Sequence, residues 1–206
     1  TCLTRRRDGK VAKNKAPLPP GSTIGILGGG QLGRMASLSA ARLGYRCHIF
    51  SPDTEAPAKA ISEVATTANY EDEDAARVFA QAVDVVTFEF ENVPNDTLTA
   101  ISKIVEVRPS VNALHVSQDR AIEKTFLADN GIRTAPWAPV ATKNDLSAIS
   151  KLGFPAILKT ARLGYDGKGQ VRVDAAKNLK DAWAQINHAT AILEGFIDFE
   201  REVSVI

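Results

Sequence analysis

The chain has 206 residues, of which 44% are hydrophobic and 24% are charged, a composition typical of a globular domain. No apolar run approaches the ~20 residues needed to span a bilayer, so no membrane partner is predicted. Cys2 and Cys47 are the only cysteines. They are too few for a disulfide framework or a zinc site, which favours a cytoplasmic location.

The first 22 residues differ in composition from the rest. Residues 1–15 hold six Lys or Arg against Asp8 alone, a local charge of +5 that leaves −4 for the remainder. Pro17, Pro19, Pro20 and Gly21 follow, a composition that resists packing. No aromatic residue is interleaved with the charges, which argues against a nucleic-acid arm. A disordered extension over residues 1–22 is favoured over that arm and over an acid-poor transit peptide.

After residue 22 the pattern alternates between strands and helices. It predicts strands over 23–27, 46–50 and 83–88, and helices from the glycine turn to about Leu43 and over 73–81. The acidic residues that open the second helix suit its positive end. Short connections between alternating elements predict an α/β fold, with a Rossmann-like parallel sheet and helices on both faces.

A second unit is predicted from Asp119 to the end of the chain. Helices are expected over 119–130, about 144–152 and about 179–186, with a hairpin around Lys159 and strands over 191–194 and 202–206. These elements indicate an α+β domain. Since the sequence ends within the last predicted strand, we expect the domain to be incomplete and the chain to be a fragment.

A glycine-rich loop follows the apolar run Pro155 to Leu158. It reads Lys159-Thr-Ala-Arg-Leu-Gly-Tyr-Asp-Gly-Lys-Gly-Gln170 and leads into Val171-Arg-Val173. Glycines let backbone N–H groups close over an anion, and a lysine leaving the preceding strand suits the phosphates of a nucleoside triphosphate. The alternative is an ordinary β-hairpin whose lysine is solvated.

A second glycine motif, Gly28-Gly-Gly-Gln-Leu-Gly33, satisfies G-x-G-x-x-G, and Asp53 lies 20 residues past Gly33. This spacing invites an alternative function, an NAD(P)-binding oxidoreductase with pyrophosphate at a helix N-terminus and the carboxylate on the ribose. Ser51-Pro52 equally makes Asp53 a turn residue. The dinucleotide hypothesis also leaves the second half of the chain unexplained.

Two carboxylates follow the strand over 83–88, in Thr87-Phe-Glu-Phe-Glu-Asn-Val-Pro94. Ligands of open α/β sheets gather at the carboxyl ends of the strands. Glu89 and Glu91 share a face if the strand continues that far. At least one of them is expected to be a solvated loop acid, and Glu89 is the candidate for function because it lies closer to the strand.

Together, Gly28 to Met35, Thr87 to Val93 and Gly164 to Gln170 resemble N5-carboxyaminoimidazole ribonucleotide synthase, an ATP-grasp ligase of purine biosynthesis. The resemblance runs from about Thr23 to the end. It implies a pre-ATP-grasp domain over 23–118 and an incomplete ATP-grasp domain over 119–206. The implied reaction converts ATP, bicarbonate and 5-aminoimidazole ribonucleotide to ADP, phosphate and N5-carboxyaminoimidazole ribonucleotide. The resemblance also implies a homodimer for the full-length protein.

The same resemblance assigns roles to individual residues. Lys159 and Asp166 would be catalytic, the first on phosphate and the second as general base. The implied ATP-binding residues are Arg120, Lys159, Gly164, Tyr165, Asp166, Gly167, Lys168, Gly169, Gln170, Glu194, Gly195, Phe196, Ile197 and Glu202. The implied ribonucleotide-binding residues are Gln31, Glu89, Tyr165 and Asp166.

The magnesium ligands implied by the resemblance would lie beyond residue 206, so no metal site is predicted within this chain. A competing hypothesis is therefore a catalytically silent, nucleotide-binding fragment. In either case the 206-residue chain alone is expected to be inactive.

Overall fold

The structure is a computed structural model that describes residues 17–148, 152–164 and 168–204. Its backbone divides into two compact units. The first comprises Thr1–Phe90 and Ala100–Arg108, and the second comprises Glu91–Thr99 and Pro109–Ile206. The sequence predicts a single boundary after residue 118, and that domain division remains a proposal.

The first unit contains a four-stranded sheet in the order β3-β2-β1-β4. Its strands are β1 (Thr23–Leu27), β2 (Arg46–Phe50), β3 (Val64–Thr66) and β4 (Val85–Phe88). All three pairings are parallel, with Ile24 opposite both Cys47 and Val85. The predicted parallel sheet is therefore confirmed. The edge strand β3 was not predicted, and β4 begins two residues later than predicted.

Two helices of this unit match the predicted ranges, α1 (Gln31–Arg42) and α2 (Glu73–Gln81). Asp72 caps α2 by accepting a hydrogen bond from the backbone N–H of Ala75 at 2.9 Å. The fully buried ring of Phe79 on α2 lies over Gly25 of β1, where an added Cβ would come within 2.6 Å of the ring. The absence of a side chain at Gly25 thus lets this helix pack closely on the sheet.

Hydrogen bonds join the end of the predicted N-terminal extension to a turn of the first unit. The Tyr45 hydroxyl donates to the carbonyl of Leu18 at 2.8 Å, and the Gly21 N–H donates to the carbonyl of Gly44 at 2.7 Å. Residues 1–16 lie outside the described residues.

Helix α3 (Asn95–Ser102) follows the β4 loop, and α4 (Val111–Ser117) begins after its cap Ser110. Neither was predicted. Among its described residues, the second unit then has the α-helices α5 (Arg120–Asp129), α6 (Asp145–Ala148) and α7 (Leu179–Gln185). Residues 149–151 of the predicted helix over 144–152 lie outside the described residues. No helix in the described ranges has the length and apolar content needed to cross a bilayer.

The second unit is built on an antiparallel sheet in the order β5-β8-β6-β7. Its strands are β5 (Trp137–Val140), β6 (Ala156–Thr160), β7 (Gln170–Val173) and β8 (Ala191–Gly195). Leu158, Val173 and Leu193 are fully buried and pack with Trp183 of α7. The hairpin predicted around Lys159 is confirmed, since Lys159 of β6 pairs with Gln170 of β7.

The strand predicted over 202–206 is wrong for the described part of that range. Glu202, Val203 and Ser204 are exposed and belong to no strand, while residues 205 and 206 lie outside the described residues. A strand needs a neighbour for its backbone hydrogen bonds. None of the described strands pairs with this segment.

Candidate nucleotide site and glycine turn

A cavity of about 260 Å³ opens in the second unit, at one end of its antiparallel sheet. Its walls are mostly apolar, but they include one cation and one carboxylate. The lining residues are Ala135, Ile157, Lys159, Glu194, Gly195, Phe196, Ile197 and Phe199. Apolar walls with a few convergent charged groups are characteristic of small-molecule sites.

The two charged residues of the cavity, Lys159 and Glu194, form an ion pair, and Glu194 also pairs with Lys124, which does not line the cavity. Lys159 Nζ lies 2.7 Å from Glu194 Oε2, and Lys124 Nζ lies 2.9 Å from Glu194 Oε1. The exposed fractions of the side chains are 26% for Lys159, 15% for Glu194 and 11% for Lys124. Each carboxylate oxygen of Glu194 thus binds a different ammonium, and the cluster carries one net positive charge.

The strand register explains why the side chains of Lys159 and Glu194 lie close together. Lys159 lies on β6 and Glu194 on the neighbouring β8, where Glu194 is opposite Ile157. Lys159 is two positions beyond Ile157, so its side chain lies on the same face of the sheet. Burial of Glu194 opposes its ionisation, but the hydrogen bonds and charges of Lys159 and Lys124 outweigh burial and lower its pKa. Glu194 is therefore ionised at neutral pH.

The turn after β8 forms the apolar wall of the cavity. Phe196, Ile197 and Phe199 are all exposed large apolar side chains. The Arg172 guanidinium lies 4.7 Å from the centroid of the Phe196 ring, within the range of a cation–π interaction. Exposed aromatic and aliphatic side chains beside a charged cluster can accommodate a flat heteroaromatic ring.

Arg120, the first residue of α5, holds the first part of the glycine loop. Its guanidinium donates to the carbonyl of Thr160 at 2.9 Å through Nη1 and to that of Gly164 at 2.8 Å through Nη2. The Thr160 N–H donates to the carbonyl of Gly169 at 2.8 Å. In this structure Arg120 therefore binds the loop backbone, and the implied contact with ATP phosphates stays a prediction.

Two loop glycines are required by close contacts with Thr160. At Gly169, φ is +70° and an added Cβ would lie 2.6 Å from Thr160 Oγ1. At Gly164, an added Cβ would lie 2.9 Å from the same oxygen. Lys168 is exposed at the tip and Gln170 begins β7. The predicted Tyr165, Asp166 and Gly167 lie outside the described residues.

Gln118 was not predicted as a site residue, yet it organises the segment before Arg120. It is buried and donates through Nε2 to the carbonyls of Glu91 and Val93, each at 2.7 Å. Its Oε1 accepts from Asn95 at 2.9 Å and from Arg162 at 3.1 Å. The only sequence signal was its position immediately before the helix cap Asp119, which does not reveal these partners.

In the first unit, the glycine motif lies against Glu89. The N–H of Gly30 donates to Glu89 Oε1 at 2.6 Å, directly before the first turn of α1. An added Cβ at Gly28, where φ is +109°, would lie 2.8 Å from Glu89 Cγ. Because β4 ends at Phe88, the strand does not extend to Glu91, which is exposed. Glu89 is thus the acid at the glycine turn.

This arrangement argues against dinucleotide binding. The Glu89 carboxylate already accepts an N–H at the helix N-terminus, where a pyrophosphate would need to bind. Asp53 Oδ1 accepts the N–H of Glu55 at 2.9 Å, which makes Asp53 a turn residue. Gln31, predicted to bind the ribonucleotide, is exposed as the first residue of α1.

Tyr70 is a further residue near Glu89 that sequence reasoning missed. Its ring packs on Phe50 with centroids 5.7 Å apart and stacks on Phe90 at 5.9 Å. Burial raises the pKa of Tyr70 to about 12, and the nearby Glu89 charge acts in the same direction, against a hydrogen bond with Ser51 that lowers it. Tyr70 is consequently a neutral hydroxyl at physiological pH.

The predicted Glu202 does not line the cavity formed by the described residues; it is exposed beyond the apolar turn. Among the described residues, no three His, Cys, Asp or Glu side chains come together as a candidate metal site. The described residues thus supply an apolar cavity with cationic groups, and among them there is no cluster to which magnesium chemistry could be assigned.

Comparison with known proteins gives these two units a class. Residues 22–118 match the family described as "Ribonucleotide synthetase preATP-grasp domain". Residues 125–206 match the "ATP-grasp domain". These two matches, to a parallel-sheet unit followed by an antiparallel-sheet unit, place the chain in the ATP-grasp class.

Curated and solved relatives narrow the class. An N5-carboxyaminoimidazole ribonucleotide synthase of Brucella melitensis is 50% identical over 196 residues, covering 94% of this chain and 54% of the relative. An N5-carboxyaminoimidazole synthetase from Staphylococcus aureus, complexed with ADP, superposes with a TM-score of 0.84 and 35% identity over 89% of this chain and 49% of that one. The chain belongs to the N5-carboxyaminoimidazole ribonucleotide synthase family, as its sequence motifs predict.

One further structure is informative about ligands. It is the Aspergillus clavatus N5-carboxyaminoimidazole synthase in complex with ADP and 5-aminoimidazole ribonucleotide, with a TM-score of 0.78 and 30% identity, covering 87% of this chain and 48% of that one. The chain spans about half the length of these synthase relatives.

Proposed function

We propose that the protein carrying this chain carboxylates 5-aminoimidazole ribonucleotide, using ATP and bicarbonate, to give N5-carboxyaminoimidazole ribonucleotide. The observation that carries the proposal is the Lys159–Glu194 ion pair at the wall of an apolar cavity, in a chain that aligns with these synthases along nearly all its length. Relatives solved with ADP and with the ribonucleotide supply the ligand classes.

The second unit would bind ATP. The apolar side chains of Phe196 and Ile197 suit adenine, and the Lys159 ammonium suits phosphate oxygens, which it would stabilise as charge moves during phosphoryl transfer. Arg120, the loop residues Gly164 to Gln170, and Glu202 are further proposed ATP-binding residues. Arg120 would hold the loop in position through its two backbone hydrogen bonds.

Gln31 and Glu89, beside the glycine turn of the first unit, are proposed ribonucleotide-binding residues. Tyr165 and Asp166, which lie outside the described residues, are proposed for the same role. Phosphorylation of bicarbonate by ATP gives carboxyphosphate, which releases phosphate and CO₂. The substrate amine then forms the N–C bond, and Asp166 would accept the proton. Magnesium would neutralise phosphate charge during the transfer. A cytoplasmic homodimer completes the proposal.

The test is a phosphate-release assay on a protein that carries this chain and spans the full length of the relatives. Release should require ATP, bicarbonate and the ribonucleotide together, and it should not need NAD or NADP. Lys159→Ala should lower turnover by a factor on the order of a hundred, the loss expected for one preorganised electrostatic donor. Lys180→Ala, at an exposed position on α7, is the matched control and should retain activity.

Hydride transfer to NAD or NADP without ATP turnover would refute the proposal in favour of the oxidoreductase alternative. ADP binding by a full-length protein with no product under any combination of substrates would instead support a silent nucleotide-binding protein.

A further inference from the structure

Lys124 lies behind the nucleotide cavity without lining it. It projects from α5 and reaches Glu194 on β8, 70 residues further along the chain, with Nζ 2.9 Å from Oε1. Its side chain is the least exposed of the three charged groups, at 11%. Lys159, which shares the same carboxylate, does line the cavity. A ligand in the cavity can therefore contact Lys159 and Glu194 while Lys124 remains behind them.

The charges explain why a second ammonium is needed. An anion that binds Lys159 competes with Glu194 for the same three N–H donors. If Lys159 turns from Glu194 toward the anion, a largely buried carboxylate loses one cation, which is costly unless another cation remains. Lys124 is that second cation. Without Lys124, the Lys159–Glu194 pair would be neutral and would hold Lys159 away from the anion.

We propose that Lys124 is a positioning residue for nucleotide phosphate: it keeps the Glu194 carboxylate paired so that Lys159 is free to bind phosphate oxygens. The proposal rests on the proposed function, because the anion in question is the phosphate of the nucleotide. Lys124 itself touches no ligand and acts through Glu194.

A purely structural role makes different predictions. The Lys124–Glu194 pair also ties α5 to β8, so its loss could simply destabilise the second unit. In that case every ligand of the cavity would be affected alike, whether charged or neutral. A positioning role instead affects ligands that carry phosphate and is restored by any side chain that returns a cation to the same place.

The experiment measures binding of ADP and of adenosine, by calorimetry, to a protein that carries this chain and spans the full length of the relatives. Thermal unfolding is recorded for each variant. Lys124→Met should weaken ADP binding on the order of tenfold, the scale of one charge-assisted hydrogen bond, and leave adenosine affinity nearly unchanged. Lys124→Arg should recover most of the ADP affinity. Lys180→Met, at an exposed position on α7, is the matched control and should bind ADP like the wild type.

A double-mutant cycle tests whether Lys124 acts through Glu194. In a Glu194→Gln background, Lys124→Met should cause little further loss of ADP affinity, since there is no carboxylate left to hold. An equal loss for ADP and adenosine that Lys124→Arg does not restore would overturn the positioning role. So would unchanged ADP binding by Lys124→Met beside a wild type that binds ADP. A full-length wild type that binds no ADP would overturn the proposed nucleotide site and this inference with it.

Discussion

Tyr70 links the packing of the first unit to its behaviour in alkali. The native state holds its hydroxyl neutral with a pKa of about 12, while an unfolded chain releases that proton near the ordinary tyrosine pKa of 10.0. As pH rises from about 10 to about 12, the unfolded state loses a proton that the native state keeps, so the free energy of unfolding falls. Tyr70 thus contributes stability that is fully present below pH 10 and is lost above it.

We predict that Tyr70→Phe removes this contribution to the fall in the free energy of unfolding above pH 10. Urea unfolding of the wild type and of Tyr70→Phe should be compared from about pH 8 to about pH 12, with the neutral-pH difference as the baseline. The wild type should lose stability more steeply above pH 10, and tyrosinate absorbance should show one late-titrating group. Parallel curves across the whole range would mean that Tyr70 is not protected in the fold.

At the scale of single residues, sequence alone pointed to residues in recognisable patterns, but it did not predict contacts between residues far apart in the chain. Lys159 was selected because it leads into the glycine loop and Glu194 because the family resemblance implies it, and the structure brings the two side chains within 2.7 Å. Lys124 and Gln118 carry no local pattern. Their roles arise from contacts with residues far along the chain, such as Glu194 and Val93, which only the folded arrangement specifies.

Helix α5 depends on its cap, because Arg120, which braces the loop, is its first residue. Asp119 accepts hydrogen bonds from the N–H groups of Ala121 at 2.9 Å and Ile122 at 3.3 Å. We predict that Asp119→Ala lowers the free energy of unfolding by about 1 kcal/mol, since these N–H groups lose their acceptor. Asp119→Asn should lose less, because an amide oxygen can also cap.

Urea unfolding at neutral pH measures the effect, with Asp129→Ala at the other end of α5 as the control. Asp129 is exposed in the last turn, where a negative charge is slightly unfavourable, so its removal should not destabilise. If Asp119→Ala and Asp129→Ala gave the same stability, the cap would contribute nothing measurable.

At the scale of elements, strands and helices with regular sequence patterns were predicted with the correct bounds, whereas the short edge strands β3 and β5 were not predicted. Strands β1 and β2 and helix α2 have the predicted bounds, since buried apolar runs and an acidic helix start are strong signals. β3 has three mostly exposed residues, and β5 contains Pro139. Both lie at sheet edges, where proline and polar residues are tolerated because one side of the strand is unpaired.

At the scale of the whole molecule, the family could be inferred because its motifs are distributed along the chain. The glycine turn and Glu89 belong to the first unit, while Lys159 and Glu194 belong to the second. Any one motif has several interpretations, as the dinucleotide alternative for Gly28 to Gly33 shows. Their order and spacing together identified a family that relatives covering 94% of the chain then confirmed.

This distribution predicts which segments a bound nucleotide protects from amide hydrogen exchange. All residues that line the cavity belong to the second unit, whereas the glycine turn lies in the first. A bound ligand stabilises the segments it contacts against local opening. ADP should therefore slow amide hydrogen exchange in β6, β8 and the turn from Gly195 to Phe199, by more than it slows exchange in β1 and the start of α1. Exchange measured by mass spectrometry on the 206-residue chain, with and without ADP, checks this. Adenosine is the matched control, and it should protect the apolar turn while protecting the segment around Lys159 less.

The dinucleotide hypothesis predicts the opposite pattern, with ADP protecting Gly28 to Gly33 most strongly, because its pyrophosphate would lie at the N-terminus of α1. Strongest protection there would contradict the assignment of the nucleotide to the second unit.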